Sequence, residues 1–123
     1  MHFAYWMVFI AALLPYAAIG LVKSEKGYDN ANPRDWEANR QGWRKRADWA
    51  HRNHFEAFAP FAAAVIIAEL TGAAQPRLDL LAGVFIALRI AYTAAYLANI
   101  ATLRTLLWVG GFGVTIAIFL AGI

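Results

Sequence analysis

The sequence predicts an all-α integral membrane protein, a four-helix bundle forming a single domain over residues 1–123. Three observations carry that expectation. The chain is 61% hydrophobic and only 15% charged, with five Trp, five Tyr and eight Phe, too apolar for a soluble domain of this size. Its apolar residues fall into four segments, each close to the roughly 20 residues that a helix needs to cross a bilayer. Its positive charge is gathered on one side of those segments.

The first segment, Phe3 to Val22, contains no charge. It lacks a positive n-region and is long for the apolar part of a signal peptide, so we expect a retained span. Pro15 is tolerable inside it because neighbouring helices can satisfy the freed backbone groups. The segment "KSEKGYDNANPRDW" is the one turn-rich stretch. Within it, Asn32 reads as an N-cap, Pro33 as a first-turn proline and Asp35 as a favourable first-turn acid. We expect a short helix from Pro33 on the membrane surface, with Trp36 and Trp43 at the interface.

The second segment, Phe55 to Leu70, is apolar apart from Glu56 and Glu69. It reaches span length only if its polar start, from about Ala47, belongs to the same helix. "TGAAQPR", 71–77, reads as a tight turn into the third segment. That segment, Leu78 to Ile100, carries Asp79 near its start and a single interior charge, Arg89. "NIATLR", 99–104, is a short link to the charge-free fourth segment, Leu106 to Ile123. Links this short make sequential helices antiparallel neighbours. Small residues (Ala62, Ala63, Ala64, Ala91, Ala94, Ala95, Gly110, Gly111, Gly113) read as sites of close helix packing.

Eight basic residues from Lys23 to Arg52 lie between the first and second segments, and Arg104 between the third and fourth. With four spans these connections share a side, which then holds nine of the eleven Lys and Arg. The positive-inside rule makes that side cytoplasmic, with the 23–52 region in the cytoplasm and both termini opposite. The basic loop serves topology and lipid headgroups, with ligand attraction as an added role; membrane lipid is an expected partner and nucleic acid is not. The chain has no Cys, so it carries no disulfide framework and any thiol must arrive with a substrate. No metal site is expected.

The chemistry is expected where polar side chains enter the apolar region. In "AHRNHFEAFAPF", 50–61, Arg52, Asn53 and Glu56 share a helix face by spacings of three and four, with His51 and His54 beside them. On the third segment Arg89, Tyr92 and Tyr96 share a face by spacings of three, four and seven. An arginine inside a span costs about 3 kcal/mol by insertion scales, so it should face the bundle and have a partner. Glu56 is the expected partner. A purely structural Glu56–Arg89 pair would fix helix register. The addition of Asn53, Tyr92, Tyr96 and Arg104 exceeds what one ion pair needs and suits a small, polar, anionic molecule held between helices.

These motifs carry a resemblance to a family. "AHRNHFEAFAPF" resembles the span-two signature of the membrane-associated proteins in eicosanoid and glutathione metabolism (MAPEG): RN, then E, then P-F. "ANPRDW" resembles the family's loop motif, "RIAYTAAYL" (89–97) its span-three motif, and "LRTLLW" (103–108) the stretch holding an arginine assigned to thiol activation. The resemblance implies a homotrimer with glutathione as cosubstrate, bound between subunits on the cytoplasmic side. It implies that Asn53 and Glu56 hold the glutathione backbone, that Arg52, Arg89, Tyr92 and Tyr96 line the site, and that Arg104 stabilises the thiolate, with Tyr96 the other candidate for that role.

The chain departs from the prostaglandin-synthase branch at Tyr92, where that branch has a histidine, and at a link before Arg104 one residue shorter. Trp108 stands where a tyrosine can occur, and the first-span arginine of some members has no clear match except Lys23 or Lys26. The compact length resembles bacterial members and implies a bacterial inner membrane. The expected function is a glutathione-dependent transferase or peroxidase acting on lipophilic electrophiles or hydroperoxides. Its rival is a non-enzymatic membrane trimer with a structural or stress-linked role. A prostaglandin E or leukotriene C synthase-like activity is the weaker alternative.

Overall fold

The computed structural model describes residues 1–123 and contains five α-helices and no strand. They are α1 (Phe3–Lys23), α2 (Pro33–Ala38), α3 (Gly42–Leu70), α4 (Gln75–Leu97) and α5 (Ala101–Phe119), followed by a single tighter turn, Leu120–Gly122. Three stretches, Phe3–Lys23, Gln75–Leu97 and Ala101–Gly122, are long and apolar enough to cross a membrane. The sequence had promised four. The exception is α3, whose 29 residues extend about 43 Å but whose first half carries Arg44, Lys45, Arg46, Asp48 and Arg52.

The helices begin and end for local reasons. Pro33 and Pro76 sit in the first turns of α2 and α4, where a missing N–H leaves nothing unpaired. Gly72, at φ +82°, turns the chain between α3 and α4 in a conformation that a Cβ resists. Asn99, at φ +61°, does the same between α4 and α5. That connection is only residues 98–100, so Arg104 stands on α5 itself. The start of α2 differs from expectation. Asn32 makes no side-chain cap; its amide bonds Asp29, and the Asp29 carboxylate gathers the N–H groups of Ala31 and Asn32.

In the bundle α1 lies along α3, and α4 along α5, with α4 also touching α1 and α3. The core between α1, α3 and α4 is built of small residues and a few large ones. Phe61 of α3 and Phe85 of α4 stack face to face at 3.8 Å between centroids. Ala64, Ala95 and Gly111 are buried at contacts as expected for small residues, while Ala63, Ala94 and Gly113 are exposed on the single chain. Much of α5 is open, including Leu106, Val109 and Phe112.

Polar bonds lock the helices where dispersion alone would leave them free to slide. Asp79 on α4 accepts from the backbone N–H of Ala4 at 2.8 Å and from Gln75 Nε2 at 2.7 Å, so α4 supplies the cap for α1. Arg46 donates to the Leu97 carbonyl at 3.0 Å, capping the end of α4 from α3. His51 bonds the Pro15 carbonyl of α1 at 2.7 Å. Trp36 turns inward, half-buried against Ile19, Val22 and Ala47 and under the Arg40 guanidinium; Trp43 stays exposed. Beneath α2, Glu37 is 1% exposed and pairs with Lys23 at 3.6 Å and Arg34 at 3.3 Å.

Candidate functional site

The predicted polar face of α4 forms as a column. Arg89, Tyr92 and Tyr96 point to one side because 3.6 residues per turn brings spacings of three and four into register. The Arg89 guanidinium lies over the Tyr92 ring at 4.2 Å, and Tyr92 meets Tyr96 edge-on at 5.5 Å. Arg104, from the first turns of α5, extends the column by lying over the Tyr96 ring at 4.6 Å. Cation over ring alternates with ring against ring, and each contact is favourable by the aromatic quadrupole.

The α3 face meets this column at Arg89. Asn53 Oδ1 accepts from Arg89 Nη2 at 2.9 Å, and Asn53 Nδ2 donates to Glu56 Oε2 at 3.0 Å. The expected Glu56–Arg89 ion pair is not formed. His54 occupies the position beside the guanidinium instead, with Nδ1 3.0 Å from Nη2, while Glu56 lies exposed on the outer side of Asn53. Helical spacing fixed the face correctly but not which residue on it reaches across. Arg52 points along α3 to Asp48, Nε to Oδ2 3.3 Å, and the Asp48 carboxylate is 1% exposed. Sequence reasoning passed over Asp48 and Thr93, and placed His54 beside the polar face without assigning it to Arg89. A buried acid four residues before Arg52 was a signal available from spacing alone.

Three contiguous clefts run along this surface. One of about 150 Å³ lies between α3, α4 and α5 and is lined by Asn53, Glu56, Pro60, Arg89, Trp108 and Phe112, among others. A second, about 470 Å³, opens beside it among Trp49, Arg52, Asn53, Glu56, Tyr92 and Tyr96. A third, about 230 Å³, continues to Tyr92, Tyr96, Arg104, Thr105 and Trp108. Every predicted site residue lines at least one of them, and the clefts share Asn53, Glu56, Tyr92, Tyr96 and Trp108. His51 is the exception among the polar residues of the motif: it is committed to α1 and faces a separate hollow with Arg34, Arg52 and Phe55.

Such a surface offers guanidinium donors at both ends, an amide and a carboxylate at one end, and aromatic walls between. It can hold an elongated zwitterion whose carboxylates meet arginine and whose ammonium meets Glu56. The surrounding loop is strongly ion-paired. Arg40 bonds Glu25 at 2.8 Å and, with Arg44 nearby, holds its carboxyl below the usual glutamate range; hydrogen bonds from Asn32 and the Ala31 backbone do the same for Asp29.

Fold and cleft together define an all-helical integral membrane protein with a polar cleft set against its apolar helices. The chain belongs to the MAPEG family, whose model matches residues 3–123, essentially its whole length. Comparison with curated proteins and with solved structures returned no match.

Proposed function

We propose that this protein is a glutathione-dependent membrane transferase or peroxidase acting on lipophilic electrophiles or hydroperoxides. The observation that carries the reading is the continuous cleft from Glu56 and Asn53, past Arg89, Tyr92 and Tyr96, to Arg104, in a chain of this family. In this reading the whole chain is one domain, α3 is the fourth span through its apolar half, and the 23–52 region faces the cytoplasm of a bacterial inner membrane. Three copies assemble around the exposed α3 face, and glutathione enters from the cytoplasmic side as cosubstrate.

Each residue then has a task. Glu56 accepts from the glutathione ammonium, Asn53 holds the peptide backbone, and Arg52 and Arg89 meet the carboxylates. Tyr92 and Tyr96 wall the site. Arg104 draws the thiol toward its anion, which is the nucleophile; a free thiol near pKa 8.5 is mostly protonated at neutral pH. A permanently charged guanidinium seated against the Tyr96 ring beside the sulfur favours the anion. The thiolate forms a bond to the electrophilic carbon of a transferase substrate as that carbon's leaving group departs with its electron pair, or attacks the distal oxygen of a hydroperoxide, breaking the O–O bond so that the alkoxide takes a proton and leaves as alcohol; the resulting sulfenic acid condenses with a second glutathione to disulfide and water.

Ultraviolet difference absorbance on adding glutathione to the purified protein tests this directly. Thiolate formation at neutral pH is the expected result. Saturable glutathione binding with no thiolate, and no turnover of electrophiles or hydroperoxides, would instead favour the non-enzymatic reading. No binding at all would remove the glutathione reading.

A further inference from the structure

His54 does more than fill the space between α3 and α4. It is 3% exposed, and its two ring nitrogens face different partners. Nδ1 lies 3.3 Å from Arg89 Nε and 3.0 Å from Arg89 Nη2. Nε2 lies 2.8 Å from Thr93 Oγ1, and that hydroxyl donates to the Arg89 carbonyl at 3.1 Å. A guanidinium has donors and no acceptor, so Nδ1 can only accept. The Thr93 hydrogen is committed to the carbonyl, so its oxygen accepts from Nε2. The ring is therefore neutral with its proton on Nε2. The bonds close a circuit on one residue: Arg89 side chain, imidazole, hydroxyl, Arg89 backbone.

The circuit decides which part of Arg89 remains free. Nε and Nη2 are held on one edge by His54, and Nη2 also by Asn53 at 2.9 Å. Tyr92 covers one face of the guanidinium. Nη1 makes no hydrogen bond within the chain, and Arg89 lines the same cleft as Asn53 and Glu56. We propose that His54 is a positioning residue whose neutral Nε2–H form grips the Nε edge of Arg89, so that Nη1 is the nitrogen offered to a ligand carboxylate in the cleft. This rests on the glutathione reading and adds to it the nitrogen that contacts the ligand and the residue that aims it. Asn53 alone would leave the guanidinium free to swing about a single bond; two adjacent α3 side chains fix its plane.

The test has a part that needs no ligand. A long-range proton–nitrogen correlation spectrum of the intact, nitrogen-15-labelled protein in detergent should show His54 with Nε2 protonated and Nδ1 bare at neutral pH. A ring protonated on Nδ1, or on both nitrogens, overturns the proposal. The second part compares two variants by calorimetry with glutathione. His54→Asn keeps an acceptor near the Nδ1 position and should bind within about threefold of the parent. His54→Leu keeps bulk but no acceptor and should bind about tenfold more weakly, the size expected for one hydrogen bond to a charged group. If both variants melt lower yet bind as the parent does, His54 is structural only and the proposal fails. If neither variant folds, the ring-nitrogen spectrum of the parent decides. A parent that binds no glutathione sinks the proposed function, and the spectrum then decides the His54 circuit by itself.

Discussion

Replacing Asn53 by alanine removes the side chain that bonds both Arg89 and Glu56. It accepts from Arg89 Nη2 at 2.9 Å and donates to Glu56 Oε2 at 3.0 Å. A hydrogen bond to a charged group contributes about 1.5–3 kcal/mol. The two bonds do not count equally. Arg89 is 3% exposed, so its bond keeps the full range, whereas Glu56 is exposed and its bond falls to the ~0–1 kcal/mol of surface pairs. Arg89 also retains His54, so it is not left uncompensated. The fold should therefore lose about 1.5–3 kcal/mol, and glutathione should lose Asn53 itself together with the fixed placing of Arg89 and Glu56. We expect affinity to fall ten- to a hundredfold, about 1.4–2.7 kcal/mol. Calorimetric titration of purified Asn53→Ala in detergent measures the affinity, and thermal unfolding measures the stability. Affinity within twofold of the parent would refute the placing of Asn53 at the ligand, whatever the stability does.

On the proposed function, Arg104→Ala should lower the thiolate absorbance and kcat while leaving glutathione affinity within about tenfold, because that reading has Asn53, Glu56 and Arg89 hold the rest of the molecule; unchanged turnover here with loss in Tyr96→Phe would move thiol activation to the tyrosine. Asp79→Ala should lower stability by about 1–2 kcal/mol, since it strips the cap that α4 supplies to Ala4, and thermal unfolding of the variant should show it. Glu25 has a carboxyl held below its ordinary value by Arg40, so its stabilising contribution is present above the unfolded pKa and lost as pH falls through the folded one. Carbon-13 titration of that carboxyl should give a midpoint lower in the parent than in Arg40→Gln; equal midpoints would remove the pair.

The long helices were legible because apolar runs of span length have few alternatives. The column of Arg89, Tyr92 and Tyr96 was legible because helical spacing puts those residues on one face. What escaped is what spacing cannot encode. Adjacent residues on α3 point about a quarter-turn apart, and which of Asn53, His54 and Glu56 reaches Arg89 depends on where α4 crosses. The cap that Asp79 gives Ala4 joins residues 75 apart, and that of Arg46 on Leu97 joins residues 51 apart. Local capping rules assigned Asn32 a cap, but its side-chain amide turns back to the Asp29 carboxylate instead of onto the first turn of α2. Burial of Glu37 was hidden likewise, because its partners Lys23 and Arg34 lie on either side of a loop.

Depth explains how an exposed acid can stand on α3. Glu56 is fourteen residues before Leu70, the end of α3, and Arg89 is fourteen residues after Gln75, the start of α4. Both therefore sit about 21 Å from the shared 71–74 turn at 1.5 Å per residue. Against a hydrocarbon thickness of about 30 Å, that is the outer third on the side of the basic loop. The cost of a charge falls steeply toward the headgroups, so Arg89 and Glu56 stand where a polar cleft is tolerable beside the apolar part of the helices. Glu56 nonetheless faces outward beside Phe55 and Pro60, with no cation of its own chain against it. A carboxylate so placed gains most from a ligand ammonium or from a neighbouring subunit laid over the α3 face. The proposed trimer and the proposed ligand thus answer the same physical need, and Glu56→Gln separates them. Loss of glutathione affinity with the trimer intact in sedimentation assigns the carboxylate to the ligand; loss of the trimer assigns it to the subunit contact; retention of both would leave neither role standing.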